Sequence, residues 1–147
     1  MRVALGAAVL AALVPLAACG GGDPTEDYCA AVEEHQERLT EIAAEGGPTA
    51  LLDALGPFRD LSERAPRDVR DEWEQVVGSL EALDEALADA DVDPAAYDGE
   101  DPPPGLGRDE RARIEAAAEG LVSPATAGAL DALQQQSRDV CQTPLSR

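Results

Sequence analysis

The feature that most constrains the fold is a run of apolar residues near the middle of the chain, spaced alternately four and three residues apart. The repeating positions are Val69, Trp73, Val76, Leu80, Leu83 and Leu87. This spacing places the side chains on one stripe of a helix, which Val77 widens, while acidic residues occupy the other faces. Residues 67–90 are therefore predicted to form an amphipathic helix that buries one face.

A stripe with this heptad-type spacing is compatible with two assemblies, an intermolecular coiled coil or a helical bundle within one chain. The stripe is only about three heptads long, and amphipathic segments lie on both sides of it in the same chain. These neighbours favour the internal bundle.

The flanking segments also show helical spacing, with turn residues between them. A first helix, capped by Asp23 or Thr25, is expected to run through Ala44 and to end at the Gly46-Gly47-Pro48 turn. The next apolar segment continues to about Arg64. Gly56-Pro57 interrupts it, which predicts a kink or two short helices.

After the acidic, proline-rich loop at 91–107, a helix is predicted from about Arg108 to Gly120. Ser123-Pro124 supplies a cap and a first-turn proline for a last helix that carries Val140 and Cys141 at its end. No segment shows the alternation of a half-buried strand. The prediction is an all-α fold, an up-and-down bundle of four or five helices.

The N-terminus has the composition of an export signal. Arg2 precedes an apolar run of about fourteen residues and then two small residues, the order found in secretory signal peptides. Leu16-Ala17-Ala18-Cys19 resembles the lipobox of bacterial lipoprotein precursors. The resemblance implies cleavage before Cys19 and a diacylglyceryl group on its sulfur. We therefore expect a signal peptide at 1–18, a lipidated flexible tether at 19–25 and a helical domain at 26–147.

Two other interpretations of the N-terminus are ordinary secretion with cleavage elsewhere and an uncleaved anchor. The apolar run is shorter than the ~20 residues that a membrane-spanning helix needs. Two acyl chains on Cys19 would instead give stable attachment at the extracytoplasmic face of the cell membrane.

If Cys19 carries lipid, Cys29 and Cys141 remain. An even remainder in an exported protein predicts one disulfide, here joining the first and last helices. Two free buried thiols are the alternative. A metal site is disfavoured because the chain has one histidine and no Cys-x-x-Cys pair.

Composition limits both the core and the partners. After removal of residues 1–18, and with them Arg2, the chain has 30 acidic and 10 basic side chains, a formal charge of −20. Such a chain is repelled by nucleic-acid phosphates and anionic headgroups, so nucleic-acid binding is not expected. Leu, Ile, Val and Phe make up 23 of the remaining 129 residues, which predicts a thin core.

The acidic loop resembles an EF-hand in its acidic positions only. Asp89, Asp91, Asp93 and Glu100 occupy positions 1, 3, 5 and 12 of such a calcium loop. Position 6, which requires glycine, is Pro94, whose φ is locked at a negative value. A solvated acidic loop is the preferred interpretation, and a calcium-responsive loop at 89–101 remains the alternative.

Other candidate residues are interpreted as structural. His35 is expected on an exposed helix face, Trp73 in the core, and Tyr97 in the acidic loop where it is available to a partner. The sequence contains no phosphate-binding loop, nucleophile elbow or zinc-protease helix motif. We therefore expect no catalytic residues, no metal ligands and no cofactor.

Taken together, the lipobox, the Tyr28-Cys29 helix start and the Val140-Cys141 helix end resemble small, uncharacterised lipoproteins of high-GC Gram-positive bacteria. The resemblance implies a membrane-anchored domain outside the cytoplasm. We expect a non-catalytic binding or interaction module, whose partner is a small apolar ligand or an envelope protein. A ligand carrier predicts an apolar cavity between helices, with the vicinity of Trp73 as one candidate position, whereas a scaffold predicts a solid core and an apolar surface patch. A cation-responsive sensor and, least favoured, an enzyme are the other classes.

Overall fold

The computed structural model describes residues 23–47 and 49–147, and within these ranges it confirms the all-α prediction, since it contains helices and no strand. The helices are α1 (Pro24–Glu45), α2 (Ala50–Asp53), α3 (Leu55–Arg64), α4 (Arg70–Asp89), α5 (Arg108–Leu121) and α6 (Pro124–Val140), with a 3₁₀ helix at Pro94–Ala96. None of the described helices is long and apolar enough to cross a membrane.

Local side-chain chemistry sets the ends of α1. The Asp23 carboxylate accepts a hydrogen bond from the Thr25 amide at 2.9 Å, and Pro24 occupies the first turn, where its missing N–H costs nothing. The helix ends at Gly46, whose φ of 60° is readily adopted only by glycine. The predicted signal peptide, Cys19 and the glycines that follow it lie outside the described residues.

The second apolar segment forms two helices, which raises the number of α-helices in the described chain to six, above the four or five expected. The break lies at Ala54 and not at Gly56-Pro57. Pro57 falls in the first turn of α3, where no intrahelical acceptor is available to the backbone nitrogen, so proline does not disrupt the helix there.

The heptad-type stripe lies at the centre of the structure. Its helix, α4, begins at Arg70, three residues later than predicted, and contacts α2, α3, α5 and α6. All the stripe residues are buried except Leu83, which is half-buried. The stripe therefore packs against other helices of the same chain, which is the arrangement that the sequence favoured over an intermolecular coiled coil.

An aromatic cluster joins three helices in the core. Trp73 of α4 is fully buried, as predicted, and its indole N–H donates to the Tyr28 hydroxyl of α1 at 3.1 Å. Phe58 of α3 meets the Trp73 ring edge to face, with centroids 5.4 Å apart. Three helices thus meet at one point, and the buried indole donor has a partner.

The Cys29–Cys141 disulfide is confirmed. It joins the second turn of α1 to the residue that follows α6, across 112 residues of sequence. At the end of α6, Val140 is 47% exposed. Cys141 lies one residue further round the helix and takes the inward position.

Beyond the disulfide, residues 142–147 return along α1 as a C-terminal strap. Gln36 donates its side-chain amide to the Pro144 carbonyl at 2.7 Å, and the Arg147 amide donates to Thr40 Oγ1 at 3.1 Å. Leu145, between these two contacts, is buried in the core. The bridge and the two hydrogen bonds therefore hold one apolar side chain of the strap against the helices.

We expect loss of the disulfide to lower the melting temperature by about 5–10 °C. Closure of a loop near 100 residues is worth ~4.7 kcal/mol in the chain-entropy limit, and observed values are often about half of that. One kcal/mol shifts the midpoint of a domain of this size by roughly 4 °C. Circular dichroism melts with and without reductant measure the change.

The Cys29→Ser, Cys141→Ser double variant is the control, because reductant has no bond to break in it. Identical midpoints for the oxidised and reduced native protein would show that the bridge does not stabilise the fold.

Candidate functional site

An apolar cleft of about 200 Å³ opens where the C-terminal half of α1 faces the short helix α2 and the middle of α6. Its lining residues come from five parts of the chain. They are Leu39, Ile42, Ala43, Ala50, Leu51, Ala54, Phe58, Leu130, Gln134, Leu145 and Ser146. The break between α2 and α3 and the strap both contribute, so the cleft exists only in the folded chain.

Short side chains create the space. Ala43 on α1, Ala50 on α2 and Ala54 at the α2–α3 break stand where longer residues would fill the volume between the helices. Leu51, beside them, is 45% exposed. Apolar surface in a concave site is the usual basis for holding a ligand, because its burial releases water.

The lining has little chemistry beyond apolar contact. None of its residues is charged, and its polar side chains are those of Gln134 and Ser146, both half-buried. Proton transfer needs a titratable side chain within hydrogen-bond reach, and an activated nucleophile needs an adjacent base. The cleft residues provide neither, so this arrangement can hold a molecule by contact and hydrogen bonding.

The cleft lies between helices, but not at the candidate position beside Trp73. Trp73 does not line the cleft; Phe58 does, and it also contacts the Trp73 ring. Trp73 is fully buried, because α1 and α3 pack against α4 at its position. The space appears instead where alanines replace large side chains.

Sequence reasoning did not identify the other lining residues as a site. Ala43, Ala50 and Ala54 are common helix residues, and nothing in their spacing signals a missing volume. Leu145 is the one apolar side chain in the strap, which was treated as the end of the chain after Cys141. Its burial depends on the hydrogen bonds to Gln36 and Thr40, which link positions more than 100 residues apart.

The acidic loop uses its carboxylates for local backbone contacts. The Asp93 carboxylate accepts a hydrogen bond from the Ala95 amide at 2.9 Å and caps the 3₁₀ helix. The Asp98 carboxylate accepts one from the Glu100 amide at 2.8 Å. Asp89 is exposed and lies 3.7 Å from Arg113. Among the described residues, no three acidic, histidine or cysteine side chains come together in a group that could hold a metal ion.

Two of the remaining candidates are less exposed than expected. His35, predicted on an open face, has 21% of its side chain exposed and contacts Asp60 of α3 through Nε2 at 2.7 Å. Arg64 contacts the other Asp60 oxygen at 3.1 Å. Tyr97 is half-buried and its hydroxyl is shielded from solvent, so it does not present that group to a partner.

Comparison of the chain with protein-family models, curated proteins and solved structures gives no match.

We expect Asp60→Asn to lower the melting temperature at pH 7 and to have no effect near pH 2. The hydrogen bond with His35, with a smaller contribution from the Arg64 charge, lowers the pKa of Asp60. A carboxyl group whose pKa is lowered by folding stabilises the fold above its unfolded pKa of ~3.9, and this stabilisation is lost as pH falls through the lower folded pKa.

Thermal melts of the native protein and the variant across pH 2–7 measure this difference. Glu63→Gln, on an exposed position of the same helix, is the control and should change the midpoint little at any pH. An Asp60→Asn effect of equal size at pH 2 and pH 7 would contradict an electrostatic origin.

Proposed function

We propose that this chain is a lipoprotein anchored by Cys19 at the extracytoplasmic face of the cell membrane, and that its domain is a non-catalytic binding module. The apolar cleft is the observation that carries the binding role. It offers concave apolar surface with two polar side chains and no charged residue, which suits retention of a ligand.

The disulfide supports the compartment. Bonds of this kind persist in oxidising surroundings and are rare where cytosolic reductants act. Cys29 and Cys141 are bonded, which leaves Cys19, in the lipobox-like sequence, as the third cysteine of the chain. Use of two thiols for a bridge and one for lipid accounts for all three cysteines.

The geometry of α1 supports a cleft that is presented away from the anchor. Cys19 lies four residues before Asp23, the N-cap of α1. The rise of 1.5 Å per residue places Leu39, at the cleft, about 22 Å along the helix from Pro24. The formal charge of −20 that remains after cleavage before Cys19 would also keep the domain body away from anionic headgroups.

The distribution of exposed apolar side chains favours a ligand-binding cleft over a scaffold surface. Val122 and Val140 are 78% and 47% exposed but lie at opposite ends of α6, about 25 Å apart. Leu51 borders the cleft itself. An up-and-down order of the long helices α1, α4, α5 and α6 belongs to the same proposal, supported by the packing of α4 against α5 and α6.

Replacement of Cys19 should abolish anchoring. We expect Cys19→Ala to lose incorporation of labelled fatty acid and to leave the precursor uncleaved, because an alanine side chain has no thiol to form the thioether. Metabolic labelling followed by electrophoresis measures both changes. Cys29→Ser is the matched control and should keep the label; a Cys19→Ala chain that still incorporates fatty acid would overturn the anchoring proposal.

The two isoleucines of the chain make the binding role testable by methyl NMR. Ile42 lines the cleft, whereas Ile114 is buried on α5 outside it. We expect benzene to shift the Ile42 δ1-methyl resonance saturably and to leave Ile114 unchanged, since an apolar space of ~150 Å³ is already enough to hold benzene.

Ala43→Phe, which places a ring in the cleft, should abolish the Ile42 response. Ala30→Phe adds the same ring at an exposed position of the same helix that does not line the cleft, and should preserve the response. Equal responses of Ile42 and Ile114, or no response of either, would exclude the cleft as a binding site.

A further inference from the structure

The dimensions of the cleft limit the size of an occupant. Its volume is about 200 Å³, roughly a third larger than the ~150 Å³ apolar cavity that accepts one benzene molecule. An apolar body of about six to eight carbons is the match to this space. A longer acyl chain would fill the cleft with about six to eight of its carbons and leave the others in water, so a short body is the better match.

The charges around the cleft limit the occupant's chemistry. An ionised group needs a partner when it loses water, and no lining residue supplies one. Arg147, which follows the lining residue Ser146, lies in a separate hollow beside Glu33, Glu37 and Glu41. The net charge of −19 adds a general repulsion of anions.

The polar side chains of the lining indicate how one end of the occupant is held. Gln134 projects from α6 and Ser146 from the strap, and both are half-buried among apolar neighbours. An amide and a hydroxyl both donate and accept hydrogen bonds, so together they suit one uncharged polar group.

On the basis of the proposed function, we propose that the cleft binds a short neutral amphiphile. The ligand has an apolar body of six to eight carbons, which packs against residues such as Leu39, Ile42 and Phe58. Its single uncharged hydrogen-bonding group faces Gln134 and Ser146. Neutrality follows because the cleft residues include no cation for an anionic head, and short length follows because further carbons would stay exposed to water.

The test compares 1-hexanol, hexanoate and benzene on the full chain, with the Ile42 methyl resonance as reporter and Ile114 as internal reference. We expect 1-hexanol to bind saturably and hexanoate to bind about ten-fold more weakly at low ionic strength, since the anion lacks a partner and meets the acidic surface. The two probes have six carbons each and differ at the first carbon, which carries a neutral hydroxyl in 1-hexanol and is the charged carboxylate in hexanoate.

Gln134→Leu keeps a side chain of similar size and removes the amide. We expect it to weaken 1-hexanol binding about three- to ten-fold, the effect of one hydrogen bond, and to leave benzene binding unchanged. The Ala43→Phe and Ala30→Phe pair again shows whether the shift arises in the cleft.

The outcomes separate this inference from the proposed function. Hexanoate binding as tightly as 1-hexanol, or a Gln134→Leu variant that binds 1-hexanol normally, would overturn the neutral-amphiphile assignment and leave the binding module standing. Absence of binding by all three probes would overturn both.

Discussion

The covalent link between Cys29 and Cys141 is the constraint on which the rest of the structure depends. The core is thin, with few large aliphatic side chains, so much of its order must come from a restriction on the chain's freedom. The bridge fixes the end of α6 beside the start of α1. It also determines where the strap begins, and thereby allows Gln36 and Thr40 to hold Leu145 against the helices.

Within that frame α4 organises the packing. Its apolar stripe contacts α2, α3, α5 and α6, and its tryptophan joins α1 to α3 through Tyr28 and Phe58. Large side chains fill this part of the core, whereas alanines dominate at the far end of α1. The same helices therefore produce a dense centre and an open cleft. The change from Tyr28 near the start of α1 to Ala43 near its end, together with Ala50 and Ala54 opposite, explains the contrast.

Elements that depend on residues close in sequence were predictable. Asp23, Ser123 and the glycines after Glu45 act within one helical turn, so the ends of α1 and the start of α6 were anticipated. The break in the second segment was placed two residues too late, because a proline in a first turn is tolerated and does not mark a break. The half-burial of His35 was missed, since its partner Asp60 lies on another helix.

The sequence by itself determined the helical class, the stripe of α4 and the pairing of Cys29 with Cys141. Each of these is encoded by periodicity, by local capping or by residue type. Only the tertiary structure decided the position of the cleft and the place of Leu145 in its wall. An unfilled volume is a property of five chain segments packed together, and no short-range pattern specifies what those segments leave empty.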